Sequence, residues 1–177
     1  MKTNFERVSE MNVAFSNPKG DPHNIDWKAI QAQCKNILDE FVELQKALGV
    51  DSPTMTALQE LRRILSVAEY PSTANLKQVR DALCDVNVFS YGAHHLMGID
   101  ADRDMNSVVD GVMTRFIKDE EDEAATIKMH AAKGVTDVRL EGEYPVRVLK
   151  SCSDQPDAPK GKFLKSASFT EPVFYEP

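Results

Sequence analysis

Two short acidic clusters stand at helical spacing within otherwise apolar stretches of the sequence. In the first cluster, Glu40 precedes Glu43 by three residues and Asp39 precedes it by four, so the three carboxylates share one turn of a helix. In the second cluster, Asp81 and Asp85 are four residues apart on one face. Like charges at this spacing destabilise a helix by roughly a few tenths of a kcal/mol, so both clusters call for an explanation.

A bound divalent cation is one explanation, because it would neutralise the repulsion between the carboxylates. Mg²⁺ prefers oxygen ligands and is held by a few carboxylates together with substrate phosphates. Two such ions roughly 3.5–4 Å apart could activate water and stabilise a leaving phosphate oxygen. The alternative is a solvated helix face, which spacing alone does not distinguish from a metal site. The metal site is favoured by the apolar stripes that adjoin both clusters.

The elements that must position these carboxylates are the two longest predicted helices, residues 26–48 and 74–97. Apolar side chains recur in each at intervals of three or four, the pattern of a helix with one buried face. Gly49 and Gly98 are predicted to close them. Shorter helices are predicted through Val8 and Met11, over 54–68 with Pro71 as the stop, and over 102–116; residues 118–133 either extend this last helix or start another.

The pattern changes after Gly134. Residues 135–148 alternate loosely between apolar and polar and contain a hairpin-like break at 141–144, and the proline-containing tail from 151 to 177 predicts an extended arm. The sequence thus predicts an all-α helical bundle with a short β hairpin and an extended C-terminal arm. We expect a single domain over 1–177, with a helical core at 12–134 and the hairpin and arm at 135–177.

Composition excludes several function classes. A net charge of −7 disfavours binding to nucleic acid polymers. The three cysteines are widely spaced and form no CxxC or Cys/His cluster, which argues against a zinc site or a disulfide scaffold. No pattern of a secretion signal is visible in the sequence, and no run approaches the ~18 apolar residues that a membrane helix needs. We therefore expect a cytoplasmic protein with no membrane partner.

The acidic clusters carry a resemblance to a known family. Residues 37–44 (ILDEFVEL) and 79–86 (VRDALCDV) resemble the EExxE…(E/D)xxxD pattern of the all-α NTP pyrophosphohydrolases, the MazG-like and phosphoribosyl-ATP pyrophosphohydrolase-like proteins. Further segments are similar to those of the family's phage and bacterial members, so that the resemblance covers about residues 12–174. These segments are Ala14-Phe15, Tyr91-Gly92, Gly98-Ile99-Asp100 and residues 160–166 with Pro172.

The resemblance implies a helical bundle assembled as a homodimer or homotetramer, with active sites near subunit interfaces. It implies Mg²⁺, with Mn²⁺ as a substitute, held by Glu40, Glu43 and Asp85, with Asp39 and Asp81 next. The implied reaction converts a (d)NTP and water into a (d)NMP and pyrophosphate by attack on the α-phosphorus. Asp39, Glu40 and Glu43 would be catalytic, Asp39 as the candidate general base. One subclass that the resemblance suggests acts on dGTP in the control of nucleotide pools.

A triphosphate also needs cationic and base-binding partners. Arginine and lysine both bind phosphate, and the candidates are Arg115, Lys118, Lys162 and Lys165, each of which is otherwise a surface charge. Phe15, predicted in a loop before the first acidic helix, is a candidate stacking surface for the base. Asn87, just after Asp85, could contact the base or the sugar.

Two positions depart from the family pattern. Ala82 stands where many members carry a glutamate, and Val112 stands where phage-type members carry an asparagine that faces the nucleotide. These departures sustain an alternative, a non-catalytic oligomeric helical protein that senses nucleotides or docks a partner.

Overall fold

The computed structural model describes residues 2–70 and 73–174. Within them the chain is mostly helical and carries a small antiparallel sheet. The predicted mainly helical fold with a β hairpin is therefore confirmed. The helices are α1 (Asn4–Ala14), α2 (Trp27–Ala47), α3 (Ser52–Ser66), α4 (Leu76–Met97), α5 (Ala101–Met113) and α6 (Glu120–Ala131), and the strands are β1 (Val138–Glu141), β2 (Val148–Ser151) and β3 (Phe163–Leu164).

Local capping explains where several helices begin. The side chains of Asp26, Asp51 and Asp119 each accept a hydrogen bond from the backbone N–H three residues later, which begins α2, α3 and α6. Thr3 and Glu6 form a reciprocal capping box at the start of α1. These caps place the first residue of α2 directly after Asp26, as predicted.

Two helix ends differ from the predictions. Helix α3 already ends at Ser66, and Pro71, the predicted stop, lies outside the described residues. The open choice after α5 is settled in favour of a separate helix, because α5 ends at Met113 and Asp119 caps α6. Between the two helices, the Ile117 N–H donates to the Arg147 carbonyl at 2.8 Å, which ties this connection to the sheet.

By its internal contacts the chain divides into two compact units, residues 20–88 and residues 1–19 with 89–177. The larger unit holds a three-stranded sheet in the order β1-β2-β3, antiparallel throughout. Its core is the fully buried Ile117 packed with four further buried residues, Val135, Leu149, Ala158 and Leu164. The same unit contains α1 packed against α5, where Arg7 contacts Asn106 and Asp110.

The C-terminal segment is tied to this core, where the sequence predicted an extended arm. Residues 163 and 164 add the strand β3 to the sheet. Beyond it, the buried Ser166 donates its hydroxyl hydrogen to the Thr114 carbonyl, and the Ala167 N–H donates to the Thr126 hydroxyl. These bonds satisfy polar groups that would otherwise be buried without partners.

The smaller unit contains the α2–α3 pair, in which α2 packs against α3. Val42 is buried there, but much of the predicted apolar stripe of α2 is not. Phe41, Leu44 and Leu48 are 46%, 51% and 71% exposed, since α3 covers part of the stripe and leaves the rest open. In the described part of the chain, no helix combines the length and apolarity needed to cross a membrane.

Candidate functional site

The first acidic cluster lies in the second half of α2. Burial of Val42 orients the helix, so that Glu40 and Glu43 remain exposed while Asp39 is half-buried. The three carboxylates are thus available on one turn, as the spacing predicted. The side chains that face this cluster come from α3.

Asp39 is engaged by an arginine of α3. The Nε of Arg62 donates a hydrogen bond to Oδ1 of Asp39 and forms an ion pair with it. This hydrogen bond raises the pKa of the Arg62 guanidinium, and the negative charges of Asp39 and Glu43 add to the effect. Arg62 therefore lies within electrostatic reach of two of the three carboxylates.

A cavity of about 400 Å³ opens beside this pair between α2 and α3. Its volume falls within the range of roughly 300–1,000 Å³ that is usual for small-molecule sites. Its lining is rich in cationic side chains, with Leu38 and Leu65 as apolar walls. The polar lining residues are Lys35, Asp39, Gln59, Arg62, Arg63 and Ser66.

The two helices position these cations by simple hairpin geometry. Helix α2 ends at residue 47 and α3 begins at 52, so residues equally distant from the short connection lie opposite each other. Lys35 accordingly reaches the Ser66 carbonyl, to which its Nζ donates at 2.8 Å. Arg63 is held by Glu60 on the same helix through two hydrogen bonds of 2.8 and 2.7 Å. The result is a cavity whose cationic side chains lie beside the Asp39 carboxylate, with Glu43 within electrostatic reach of Arg62.

The second acidic cluster does not join the first. Asp81 and Asp85 lie exposed on α4, as does Asn87. Their carboxylate oxygens, like those of α2, are the donors that Mg²⁺ prefers, so the residue types fit the ion. Among residues 2–70 and 73–174, however, no three His, Cys, Asp or Glu side chains are gathered into a group that could hold a metal. The predicted ligand set is thus not assembled within one chain.

The four predicted phosphate-binding residues belong to the larger unit and are dispersed there. Arg115 and Lys165 both lie over the ring of Phe169, at 5.6 and 3.9 Å from its centroid. The Nζ of Lys162 donates to the Asp157 carbonyl, and the side chain of Lys118 is exposed. Of the predicted set, the structure therefore brings Arg115 and Lys165 together.

Phe15 lines a second cavity, which lies within the larger unit and measures about 410 Å³. Its ring packs against those of Phe116 and Phe163, with centroids 4.6 and 5.5 Å away. The predicted stacking residue is thus placed at a cavity wall, in an aromatic cluster. Its role toward a base stays a prediction.

The Gly98-Ile99-Asp100 segment has a structural explanation. Gly98 adopts a φ of +72° and ends α4, a conformation that favours glycine. Asp100 then caps α5 by accepting the N–H groups of Asp102 and Arg103. The hydroxyl of Tyr91 donates to Asp102 at 2.9 Å. This part of the motif resemblance is therefore accounted for by a helix–helix connection.

The sequence reasoning missed Arg62 and Arg63 as neighbours of the acidic cluster. A usable signal was present, because two amphipathic helices joined by a short connection pack antiparallel and place the middle of α2 opposite the second half of α3. Lys35 had the correct type and spacing, one turn before Asp39. Helical periodicity shows which face of each helix is apolar, but it does not show which faces pack against each other. Periodicity alone therefore does not predict that Arg62 and Arg63 lie beside the acidic cluster of α2.

Comparison with known proteins gives no relative: no family model, no curated protein and no solved structure matches this chain.

Proposed function

We propose that this chain is a Mg²⁺-dependent nucleoside triphosphate pyrophosphohydrolase that converts a (d)NTP into a (d)NMP and pyrophosphate in the cytoplasm. The observation that carries the proposal is the α2–α3 cavity, where Lys35, Arg62 and Arg63 line a space together with Asp39, on the turn of α2 that also carries the exposed carboxylates of Glu40 and Glu43. Cations that bind phosphate and carboxylates that bind magnesium are the two requirements of a metal–triphosphate site. The motif resemblance supports the same reaction.

The cationic residues would hold the polyphosphate. The guanidinium groups of Arg62 and Arg63 can each bind phosphate oxygens in bidentate fashion, while Lys35 acts as a point charge. Glu40, Glu43 and Asp85 would hold Mg²⁺, with Asp39 and Asp81 next, and the bound ion would supply positive charge for the departing pyrophosphate. This assignment gives the phosphate-binding role to Lys35, Arg62 and Arg63, which line one cavity. The cations first predicted for that role, which are dispersed in the larger unit, are Arg115, Lys118, Lys162 and Lys165.

Asp39 would act as the proton acceptor. Its carboxylate is paired with Arg62 in the free protein, and a triphosphate would compete for that guanidinium. Once Arg62 turns to the phosphate, Asp39 can accept a proton from water. The water oxygen forms the new bond to the α-phosphorus, the bond from the α-phosphorus to the bridging oxygen breaks, and pyrophosphate leaves with that oxygen.

A homodimer or homotetramer would complete the site. Helix α4 carries Asp81 and Asp85 next to large exposed apolar side chains, with Val86 46%, Val88 63% and Phe89 76% exposed. Clusters of exposed apolar residues mark interaction surfaces, and a second copy would cover them while bringing further carboxylates to the site. Analytical ultracentrifugation should give a mass of two or four chains, and Phe89→Asp should shift it toward one. A wild-type monomer at all concentrations would contradict this assembly.

The reaction is tested with a panel of all eight (d)NTPs, with Mg²⁺ and without it, and chromatographic separation of the products. We expect monophosphate and pyrophosphate, formed with Mg²⁺ or Mn²⁺ and absent with excess chelator. Glu43→Gln should abolish turnover, whereas Glu69→Gln is a matched control outside the cavity with the same change of charge. Diphosphate and orthophosphate as products would refute attack at the α-phosphorus.

A non-catalytic protein that senses nucleotides or docks a partner is the second candidate, favoured by Ala82 and Val112, the two departures from the family pattern. Such a protein would gain thermal stability with nucleotide, by RT ln(1 + [L]/Kd), without forming product. Binding of a (d)NTP by the folded oligomer, combined with no turnover in any metal, would favour the sensor over the enzyme.

A further inference from the structure

The α2–α3 cavity has two ends that differ in charge, and the contacts between the helices fix their order. At one end, the Lys35 Nζ donates to the Ser66 carbonyl at 2.8 Å. Four residues further along α2, Asp39 accepts a hydrogen bond from Arg62. The same antiparallel register places Gln59, which also lines the cavity, about one turn nearer the short connection between the helices. The lining therefore runs from Lys35 at one end, past the ion pair, to Gln59 at the other.

The cationic end is formed by Lys35 and Arg63, and both keep N–H donors for a ligand. Among the hydrogen bonds of residues 2–70 and 73–174, Lys35 uses one of the three donors of its ammonium group. Arg63 uses two of its five donors, both on Glu60, which lies outside the cavity lining. Lysine and arginine donors bind phosphate oxygens, so this end favours the most highly charged part of a nucleotide.

The opposite end favours a neutral group. Its lining residue is Gln59, whose side chain is uncharged and exposed. An amide both donates and accepts hydrogen bonds, which matches the hydroxyl groups of a sugar. Glu43 follows Asp39 by one turn of α2 in this direction, towards the connection. Its negative charge disfavours the terminal phosphates at this end.

We propose that a nucleotide lies along the helix pair in one direction, with its terminal phosphate at Lys35 and its sugar at Gln59. This orientation rests on the proposed function, because it concerns the nucleotide bound in that same cavity. Lys35 and Asp39 are about 6 Å apart along α2, at 1.5 Å of rise per residue, a distance that two P–O–P linkages can bridge. The α-phosphate then lies level with Asp39, and the γ-phosphate of a triphosphate reaches Lys35. Lys35 thus distinguishes a nucleoside triphosphate from a diphosphate.

The test is calorimetric titration of the full chain with the four common dNTPs, the corresponding dNDPs and inorganic triphosphate. Excess chelator prevents hydrolysis, so binding is measured alone. We expect the wild type to bind each accepted dNTP more tightly than its dNDP. Lys35→Ala should reduce this preference about tenfold or more, because a hydrogen bond between charged groups is lost. Lys35→Arg keeps the charge and should retain most of the preference.

Lys46→Ala is the matched control for the cationic end. Lys46 is exposed on the same helix, beyond Glu43 and outside the cavity lining, so its replacement makes the same change in net charge. The preference for dNTP over dNDP should persist in this variant. Its loss in Lys46→Ala, with retention in Lys35→Ala, would mean that the nucleotide lies in the opposite direction and would overturn the proposal.

Gln59→Ala tests the other end of the cavity. It should weaken dNTP binding about fivefold, the effect of one lost hydrogen bond between neutral groups. Inorganic triphosphate has no sugar, so its affinity should stay within twofold of the wild-type value. Equal weakening of dNTP and inorganic triphosphate by this variant would contradict a sugar contact at Gln59 and overturn the orientation.

The outcomes separate this orientation from the proposed reaction. If the variants show the expected pattern but Mg²⁺ gives no product, the orientation stands and the hydrolase assignment fails. If product forms but Lys35→Ala keeps the preference for dNTP within twofold of the wild type, the reaction stands and the orientation fails. Folded wild-type protein that binds no dNTP at millimolar concentration would overturn both.

Discussion

Replacing Arg62 by alanine should separate a functional role in the α2–α3 cavity from a structural one. The Arg62 and Asp39 side chains are 52% and 40% exposed. Ion pairs at such exposed positions contribute about 0–1 kcal/mol, because water screens the charges and the side chains lose freedom. Arg62→Ala should therefore lower the melting temperature by a few degrees at most.

The expected effect on nucleotide handling is much larger. If Arg62 binds the triphosphate, its removal takes away hydrogen bonds to a charged group, each contributing about 1.5–3 kcal/mol. One such bond corresponds to a loss of about 10- to 150-fold in kcat/KM. Arg62→Lys should fall between the wild type and alanine, because lysine keeps the charge but not the bidentate geometry. Pyrophosphate release gives kcat/KM, and calorimetry with inorganic triphosphate measures binding without turnover.

Lys28→Ala is the matched control for this experiment. Lys28 lies exposed in the first turn of α2, outside the cavity lining, so its replacement makes the same change in net charge. An equal loss in Lys28→Ala would mean that overall charge, and not the cavity, controls binding. Retention of both kcat/KM and triphosphate affinity within twofold in Arg62→Ala would refute the assignment of the cavity as the phosphate site.

Three further predictions concern the fold that carries these sites. Thr126→Val should cost about 1–3 kcal/mol of unfolding free energy, because the buried hydroxyl that accepts the Ala167 N–H at 2.8 Å is lost. Denaturant titration measures this cost, and a Thr126→Val variant that is less destabilised than Thr126→Ser would contradict the prediction. Ile117→Ala should cost about 2–5 kcal/mol, since Ile117 is 0% exposed, whereas Ile127→Ala, at 38% exposed, should cost far less in the same titration. Hydrogen bonds from Thr54, first from its side chain and then from its backbone, lower the pKa of Asp51 below the ordinary 3.8. The stability that this cap gives α3 is therefore present above pH 3.8, and it is lost as the pH falls through the lower pKa of Asp51 in the folded protein. Far-UV circular dichroism between about pH 4 and about pH 2 should show this loss, and Asp51→Asn, which keeps a capping side chain, should flatten it; an unchanged profile in the variant would argue against the linkage.

The sequence by itself determined the elements whose stability is local. Helix α2 follows from the three- and four-residue apolar spacing together with the Asp26 cap, and the end of α4 follows from the positive φ that Gly98 allows. The exposed carboxylates of Glu40 and Glu43 on one turn follow from helical geometry alone. In each case, the decisive interactions join residues a few positions apart, so a short window of sequence contains them.

The tertiary structure decided which faces meet. Two contacts join residues that are distant in sequence, the ion pair of Asp39 with Arg62 and the ring contact of Phe15 with Phe163. Periodicity predicts the apolar face of a helix, but it does not predict which other face packs against it. It also decided that the tail is tied to the larger unit through Thr126 and Ser166, because buried polar groups there require hydrogen-bond partners that only the folded chain supplies. The carboxylates of α2 and α4 show the same division between local and long-range interactions. Their positions along each helix are local properties, whereas bringing them together depends on packing between helices.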